Sequence, residues 1–484
     1  MKFTIISHAC IYIESGEIKL LIDPWLVGSC YWRSWWNYPE PKDDLIESLK
    51  PTHIYITHLH WDHYHGPSLR KLQKFDPIII FPKHFNKRLV NDCKKDFKFS
   101  EIMEIDHGKK VRLADDFNIT SYQFNPFFID SALVIESNNY TLLDANDSKT
   151  FGLSLKQIID SHNKIDFVFR SHSSASPIPH CIEGSNPERS ERSPNAYAKE
   201  YAYFSKNTKA KYTIPFASSH YFLHPDTRKF NKFYSDPSYV AKVHKNLLKN
   251  DQECIIMPTS SSWSKENGFK IYDHDYSKIK NHINDGIEKH SESIRKRINS
   301  ARTMRLNKAA FHNYFKRFMK SNDIFFNFKF IFGFLIDEEK SNSKFLCIVD
   351  GIKKETNIKL IQSNKNLDNY KLSFIIKCPI YVFNDCNIKQ MYNTFSPSKL
   401  LIIKLLDKKA NKNVSKIFNL LDLYENDCLP SYRLITIRNI EIVIRRWREL
   451  FDIFYFIFVI KILRKEIKDL YFYEKNFSLI NFFN

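Results

Sequence analysis

The stretch THLHWDHYHG at residues 57–66 decides the fold, because it places a dense set of metal-binding side chains directly after the apolar run HIYIT at 53–57. Four donors fall within six positions, and they are His58, His60, Asp62 and His63. A transition metal needs several lone-pair donors that converge at about 2.0–2.2 Å. In a loop that leaves a strand, the two leading histidines fall on one side, and the Asp–His pair can face a second position. The spacing therefore predicts a two-metal site. A histidine-rich surface turn is the alternative, and His65 is interpreted as a loop residue or as a support for a ligand.

Strand and helix patterns alternate through the first half of the chain. Residues 3–25 read as two apolar strands joined by the turn SGE, which is a hairpin pattern. Helical spacing follows at 44–50 and 67–75, on either side of the motif strand. Further short apolar runs predict strands at 77–81, 131–136, 141–145, 166–171, 213–218 and 254–258. Strands that alternate with helices predict an α/β layered fold.

The second half of the chain has a different pattern. Around 265–320 the sequence is polar, basic and helical, without strand patterns. Beyond it, apolar alternation is mixed with helical spacing, and the end of the chain reads as a long helix. These changes predict four parts: a metal-binding catalytic domain at 1–275, a basic helical linker at 276–304, a smaller α+β domain at 305–430 and a C-terminal helical segment at 431–484.

The cysteines and the apolar segments of the sequence indicate in which cellular compartment the protein is expected. Nine scattered cysteines, an odd number without a CxxC pair, predict free thiols in a reducing cytoplasm. The N-terminus has no signal-peptide pattern, and no run reaches the ~18 apolar residues of a membrane-spanning helix. The nearest run, IFYFIFVI at 453–460, is interpreted as a core or docking helix, with an interfacial membrane helix as the alternative.

The net charge of +19 bears on the partners. Such a charge suits a phosphorylated or nucleic-acid partner. No zinc-finger spacing or RNP-like aromatic motif accompanies it. We therefore expect an anionic small-molecule substrate and no nucleic acid.

The motif resembles that of the metallo-β-lactamase superfamily, whose fold is an αββα sandwich with the site at one sheet edge. Neighbouring segments are similar to the non-Rieske portion of the CMP-N-acetylneuraminate hydroxylases, and the tryptophan loop and IDPWL are the most diagnostic of them. These segments are SHAC at 7–10, IDPWL at 22–26, the pair Trp35–Trp36, PSLRKL after the motif, PFASSHYFLHP at 215–225 and IIMPTSSSW ending at Trp263. The C-terminal half resembles, more weakly, the sterol-carrier-like module of that family.

The resemblance implies further ligands. A bridging carboxylate falls on Asp147 in the turn after 141–145, with Asp144 as the alternative, so that Asp62 and Asp147 are the expected catalytic carboxylates. The last histidine falls on His224, with His220 as the nearby alternative. His8 would orient a ligand; the alternative is a core histidine.

One ligand position departs from the family pattern. The third histidine of the first metal site falls on Asn125, whose carbonyl is a weaker ligand than imidazole. That metal position is therefore expected to be weaker, lost, or completed by another donor such as His172.

Substrate contacts are less specific. Arg189 and Arg192 lie in a loop that could clamp phosphate or carboxylate groups; a solvated charged loop is the alternative. Arg170 ends a predicted strand where superfamily loops approach the substrate. Trp35 and Trp36, with Trp32, would stack on a base or a sugar, or pack beneath the loop.

Three functions remain open. The resemblance implies an oxygenase with two transition-metal ions, iron favoured and zinc or manganese as alternatives, acting on a nucleotide-activated or acylated sugar. No cysteine has a histidine two or three positions on, so we expect no internal [2Fe–2S] cluster and electrons from a separate reductase or Rieske protein. The second function is a zinc or manganese hydrolase of a phosphodiester, lactone or amide. The third is a non-catalytic relative, which Asn125 favours and the retained ligands oppose.

Overall fold

A computed structural model gives the fold, and it describes residues 1–123, 130–148, 150, 152–190, 193–248, 251–361 and 370–449. The strands of the first part are β1 (Lys2–Ser7), β2 (Cys10–Ser15), β3 (Ile18–Ile22), β4 (Ser29–Cys30), β5 (Trp35–Asn37), β6 (His53–Tyr55), β7 (Ile78–Pro82), β8 (Ile102–Ile105), β9 (Lys110–Ala114), β10 (Phe117–Gln123), β11 (Ser131–Ser137), β12 (Tyr140–Asn146), β13 (Phe167–Ser171), β14 (Tyr212–Phe216), β15 (His220–Phe222), β16 (Glu253–Cys254), β17 (Ser262–Ser264) and β18 (Gly268–Lys270). The later strands are β19 (Ile331–Glu338), β20 (Ser343–Asp350), β21 (Glu355–Leu360), β22 (Phe374–Lys377) and β23 (Ile402–Leu405).

Helices separate many of these strands. They are α1 (Asp43–Ser48), α2 (Gly66–Leu72), α3 (Arg88–Asp96), α4 (Gly152–Ser161), α5 (Pro194–Thr208), α6 (Pro237–Leu248), α7 (Ile279–Arg302), α8 (Lys308–Ser321), α9 (Ile380–Lys389), α10 (Tyr392–Ser398), α11 (Ala410–Glu425) and α12 (Ile437–Arg445).

Two large sheets face each other in the first half of the chain. One has the order β18-β17-β1-β2-β3-β6-β7-β8, and the other has the order β16-β14-β13-β12-β11-β10-β9. Alternate apolar side chains of both sheets, among them Phe3, Ile11, Ile135 and Phe169, form a shared core between them. Because every second residue of a strand points to one face, the other face of each sheet is left for helices.

Helices cover both outer faces. Side chains of α1, α2 and α3 pack on the first sheet, with Leu69 and Leu89 as examples. Side chains of α4 and α5, including Ile158 and Phe204, pack on the second. The arrangement is therefore the predicted sandwich of helix, sheet, sheet and helix.

The direction of the parallel strands determines where the predicted metal ligands lie. In the first sheet β3, β6 and β7 run parallel, and in the second β12, β13 and β14 run parallel. The loop after β6 carries the 57–66 motif, and the loop after β12 carries Asp147. Both loops leave the carboxyl ends of parallel strands, where ligand sites of α/β sheets form.

Two expectations for strands are corrected. The run at 254–258 is a strand only at Glu253–Cys254, and the region after 265 contains β18. Strand β18 pairs with β17, which pairs with β1 through Phe3 opposite Trp263. The three residues of β18 alternate too briefly to show a pattern, so the pairing comes from the tertiary contact.

A third sheet, ordered β21-β20-β19-β22-β23, lies in the second half. Its aromatic core is continuous with the first half, because Trp32 and Trp35 belong to the same buried cluster as Phe334 and Phe383. Helix α7 packs Ile294 against Trp36 and Tyr221. The predicted domain limits remain predictions, and the described part of 431–484 ends at residue 449, so the run at 453–460 lies outside the described residues.

All nine cysteines are free, and eight of them are buried. Within the described ranges, none of the helices combines the length and the apolar character needed to cross a membrane.

Candidate metal centre

A buried carboxylate organises the 57–66 loop. Asp23, which follows β3 in a left-handed conformation (φ 45°), is fully buried. Its Oδ1 accepts the Thr57 backbone N–H at 2.8 Å, and its Oδ2 accepts the Thr57 hydroxyl at 2.6 Å. The same Oδ2 lies 2.6 Å from Nδ1 of His63. This hydrogen bond holds a proton on Nδ1 and leaves Nε2 of His63 to face the site.

His63 lies where two groups of donors meet. Its Nε2 is 3.5 Å from Oδ2 of Asp62 and 3.7 Å from Oδ2 of Asp147. Asp62 is in turn 3.1 Å from Nε2 of His8, and Asp147 is 3.8 Å from Nε2 of His58. The donor atoms of each group lie within 4.8 Å of one another; the groups are His8, Asp62 and His63, and His58, His63 and Asp147.

The donors fit metal ions. Nε2 of His63 and Oδ1 of Asp147 are buried without a hydrogen-bond partner among the described residues. Leaving such an atom unsatisfied costs about 1–3 kcal/mol, which a bound cation removes. Imidazole nitrogen with carboxylate oxygen is a donor set that suits iron, zinc and manganese.

Asp62 is held from the other side by a tyrosine. The Tyr31 hydroxyl donates a hydrogen bond of 2.5 Å to Oδ1 of Asp62. Burial opposes ionisation of this carboxyl, but His63 and His8 hold its pKa well below the usual range. Burial and the Asp62 charge raise the pKa of Tyr31, so its hydroxyl stays protonated and remains a donor.

His60 is beside the donors and belongs to neither group. Its Nδ1 lies 2.7 Å from Nε2 of His58, a hydrogen bond between two predicted ligands. Burial lowers the pKa of both rings. Both imidazoles are therefore neutral at pH 7, which is the form that binds metal.

The structure brings His220, and not His224, to this cluster. The His220 ring stacks on Trp35 with centroids 3.6 Å apart, and its centroid is 5.2 Å from that of His8. Nδ1 of His220 has no hydrogen-bond partner in the described ranges. His224 instead has its Nε2 3.0 Å from the Tyr381 hydroxyl on α9.

The two candidate bridging aspartates differ in position. Asp147 joins His58 and His63, as described above. Asp144 is fully buried outside both groups and accepts the Asn146 N–H at 3.1 Å. Burial and the nearby Asp23 raise its pKa well above the usual range of an aspartate.

His172 is also buried outside both groups, with its backbone N–H bonded to Ser218. Asn125 lies outside the described residues.

The predicted substrate residues are placed differently from one another. Arg170 is buried, donates to the Ser148 carbonyl and to Glu200, and stacks over Phe204. It therefore braces the turn that carries Asp147. Trp35 packs on His220, and Trp36 stacks on His290 at 3.7 Å. Arg192 and the side chain of Arg189 lie outside the described residues.

The sequence patterns missed two supports of the site. Asp23 and Tyr31 each bond a predicted ligand directly. Asp23 lies inside IDPWL, and Tyr31 lies within the tryptophan loop. A lone acid after an apolar strand was the available signal for Asp23, and no local signal identifies Tyr31.

Comparisons with known proteins identify the family of the first part of the chain. Residues 2–167 match the model of the β-lactamase superfamily domain, and this part of the chain is such a domain. The cytidine monophosphate-N-acetylneuraminic acid hydroxylase of Cricetulus griseus is 39% identical over 80 residues. That stretch covers 16% of this chain and 14% of the hydroxylase, so the chain matches about a seventh of the relative's length.

Two solved structures are similar to part of this chain. CmlA, a diiron beta-hydroxylase from Streptomyces venezuelae, is 16% identical with a TM-score of 0.39 and covers 52% of each chain. Igni18, a metallo hydrolase from Ignicoccus hospitalis, is 14% identical with a TM-score of 0.38 and covers 54% of this chain and 96% of that one. The family model and the two facing sheets confirm the predicted metallo-β-lactamase fold.

Proposed function

We propose that this chain, whose residues 2–167 are a β-lactamase superfamily domain, is a metal-dependent oxygenase that hydroxylates a nucleotide-activated or acylated sugar. The observation that carries the metal dependence is the pair of donor groups that meet at His63. The choice of reaction is supported by the 39% identity over 80 residues to a CMP-N-acetylneuraminic acid hydroxylase.

The donors divide between two ions in this proposal. The Nε2 of His63 has one lone pair, so His63 completes one group at a time. We assign it to the ion held by Asp62, with His8 as the third donor. His60, 2.7 Å from His58, then completes the other group once its hydrogen bond to that ring is exchanged for a metal bond. The predicted ligand His224 has no place in either group, and His220 is the nearer histidine.

The bound ions would be iron and would supply activation of dioxygen, with electrons from a separate reductase or Rieske protein. The chain's own residues hold the ligands in place. Asp23 and Thr57 fix the ring and the tautomer of His63, and Tyr31 fixes Asp62. Because these groups are all buried, water is kept from the donors and little reorganisation is needed when the metal binds.

A metallo-hydrolase is the second candidate, and the donor set favours it as well. Histidine and aspartate without cysteine are also the ligands of catalytic zinc, which commonly activates a hydroxide for attack on an ester, lactone or amide. The same six donors would hold zinc or manganese in that case.

One experiment separates the two candidates. The full-length protein is incubated with CMP-N-acetylneuraminate and a reductase–Rieske electron donor, in air and under nitrogen, and the products are analysed by mass spectrometry. The proposal expects a product with one added oxygen atom, formed only in air. Asp147→Asn should abolish the product, whereas Asp160→Asn, an exposed residue of α4 paired with Lys156, should not. A hydrolysis product formed equally under nitrogen would overturn the oxygenase.

A further inference from the structure

A cavity of about 410 Å³ opens beside the motif loop, between that loop and helices α7 and α9. Its size is within the range of small-molecule sites, about 300–1,000 Å³. The lining combines aromatic rings with guanidinium groups and includes Trp32, Arg33, Trp61, Arg70, Arg297 and Asp385. Trp32 is one of the residues that the sequence predicts to stack on a base or a sugar, whereas Arg170, Trp35 and Trp36 do not line the cavity.

The charges of the cavity are not balanced. Asp385 pairs with Arg297 at 2.8 Å and with Lys389 at 3.2 Å, so its negative charge is already engaged. Arg33 is exposed and donates from Nε to the Ser293 hydroxyl at 3.1 Å. Burial and the nearby Arg297 lower the pKa of Arg33.

Two guanidinium groups therefore remain available. Among the residues that the structure describes, no carboxylate lies within 4.0 Å of Arg33 or Arg70. Asp96 also lines the cavity, without such an ion pair to either arginine. Unneutralised arginines at the mouth of a cavity fit the fork geometry of a phosphate.

The aromatic wall is held in a defined orientation. Trp61 stacks on Tyr31 with centroids 6.0 Å apart and an interplanar angle of 11°, and it meets Trp32 at 5.0 Å. Trp32 is fixed by its indole N–H, which donates to Asp385 at 2.8 Å. Trp61 is only partly buried, so part of its ring is open to a ligand. Such a ring offers a face on which a nucleic-acid base can stack.

The cavity and the metal centre share one strained segment. Tyr31, Trp32 and Arg33 have φ angles of 52°, 55° and 71°. Left-handed angles are unfavourable for residues other than glycine, and such strain is concentrated at functional sites. Tyr31 bonds Asp62 of the metal centre, while the next two residues line the cavity. A ligand in the cavity therefore contacts the same segment that holds a metal ligand.

We propose that this cavity binds a nucleoside phosphate, with the phosphate on Arg33 and Arg70 and the base on Trp61. That the cavity binds a nucleotide is inferred from its charges and aromatic rings alone. That this nucleotide is part of an activated sugar substrate rests on the proposed function. A free nucleotide has the same chemistry and is the second source of such a ligand.

Isothermal titration of the full-length protein tests the inference without turnover. Cytidine monophosphate, cytidine and inorganic phosphate are titrated separately. We expect the nucleotide to bind more tightly than either part, and Arg33→Gln and Arg70→Gln to weaken it by about ten-fold or more each, since each removes a charge-assisted contact. Arg302→Gln, an exposed arginine on the same helix as Arg297, should leave the affinity unchanged.

The outcomes are distinct. Absence of nucleotide binding, or equal affinity for the nucleotide and inorganic phosphate, would overturn the inference. An equal loss of affinity in Arg302→Gln would overturn it as well. Failure of hydroxylation with intact nucleotide binding would count against the proposed function only. Where turnover is observed, competitive inhibition by cytidine monophosphate identifies the nucleotide portion of the substrate as the ligand, and non-competitive inhibition identifies a free nucleotide.

Discussion

The Nδ1–H of His63 donates to Oδ2 of Asp23 over 2.6 Å, and both side chains are completely buried. The opposite nitrogen of the same ring lies 3.5 Å from Asp62 and 3.7 Å from Asp147. A fixed carboxylate behind a histidine sets the ring orientation and raises its basicity as a ligand. Asp23 is therefore a positioning residue of the metal centre, although it binds no metal itself.

Replacing Asp23 tests this role. Asp23→Asn removes the charge behind His63 while keeping the shape of the side chain, so we expect metal affinity to fall about 10–100-fold. Metal competition with a chromogenic chelator measures the affinity. Asp144→Asn is the matched control, because Asp144 is buried nearby and lies outside both donor groups. An unchanged affinity in Asp23→Asn, or an equal loss of affinity in Asp144→Asn, would contradict the positioning role of Asp23.

Two histidines of the 57–66 motif should respond differently to replacement by alanine. His63→Ala removes a ligand, and we expect it to lower the metal content. His65 instead bonds the Ser68 hydroxyl at 2.8 Å and lies against Trp25. We expect His65→Ala to keep the metal content and to lower the free energy of unfolding by about 1–3 kcal/mol. Metal analysis and chemical denaturation of both variants provide the measurement. If His65→Ala lost metal and His63→Ala kept it, the assignment of His63 as the ligand would be refuted.

A buried histidine far along the chain from the motif should make stability depend on pH. Burial and Arg446 lower the pKa of His107 to about 3, and its Nδ1 accepts the Gln123 N–H at 2.9 Å. The unfolded chain, with an ordinary histidine pKa near 6.5, binds the proton first. The stabilising contribution is therefore complete above pH 6.5 and is lost as pH falls toward 3.

Between pH 7 and pH 5 this linkage amounts to about 2 kcal/mol per histidine. We expect His107→Gln to reduce the pH dependence of the free energy of unfolding by up to about that amount. Urea denaturation at both pH values measures it. If His107→Gln showed the same pH dependence of the free energy of unfolding between pH 5 and pH 7 as the unmodified protein, the pKa of His107 would not be lowered in the folded protein.

The contact of helix α7 with the sandwich depends on a glycine. A Cβ at Gly286 would lie 2.5 Å from the Tyr221 hydroxyl and 2.8 Å from its ring. Gly→Ala within an exposed helix stabilises by up to about 1 kcal/mol, but here the crowding should cost about 1–3 kcal/mol. Asn284→Ala, exposed in the same helix, is the control and should change stability by less than about 0.5 kcal/mol. Thermal denaturation compares the two, and a stabilised Gly286→Ala would contradict the close packing.

The sequence predicts the sandwich well, because its evidence is local. Apolar strands that alternate with helices indicate the layers, and the motif after β6 marks the sheet edge that carries the donors. The short strands β17 and β18 could not be predicted, since β17 pairs with β1 through tertiary contacts such as Phe3 with Trp263, and β18 pairs with β17.

The site was less predictable than the fold because side-chain direction depends on distant partners. His220 and His224 are four residues apart, and only the stacking of His220 on Trp35 decides which one meets the cluster. Arg170 appeared suited to a substrate anion, but the Ser148 carbonyl and Glu200 engage it inside the protein. The segment Tyr31–Arg33 adopts left-handed angles that none of its three residues favours, so its role is visible only in three dimensions.

The most direct test of the account is the metal content of full-length protein expressed without added metal, measured by elemental mass spectrometry. We predict about two irons per chain, a number that falls in Asp147→Asn and is unchanged in Asp144→Asn. Stoichiometric zinc together with turnover that needs no oxygen would contradict the oxygenase, and absence of any bound transition metal would contradict the metal centre itself.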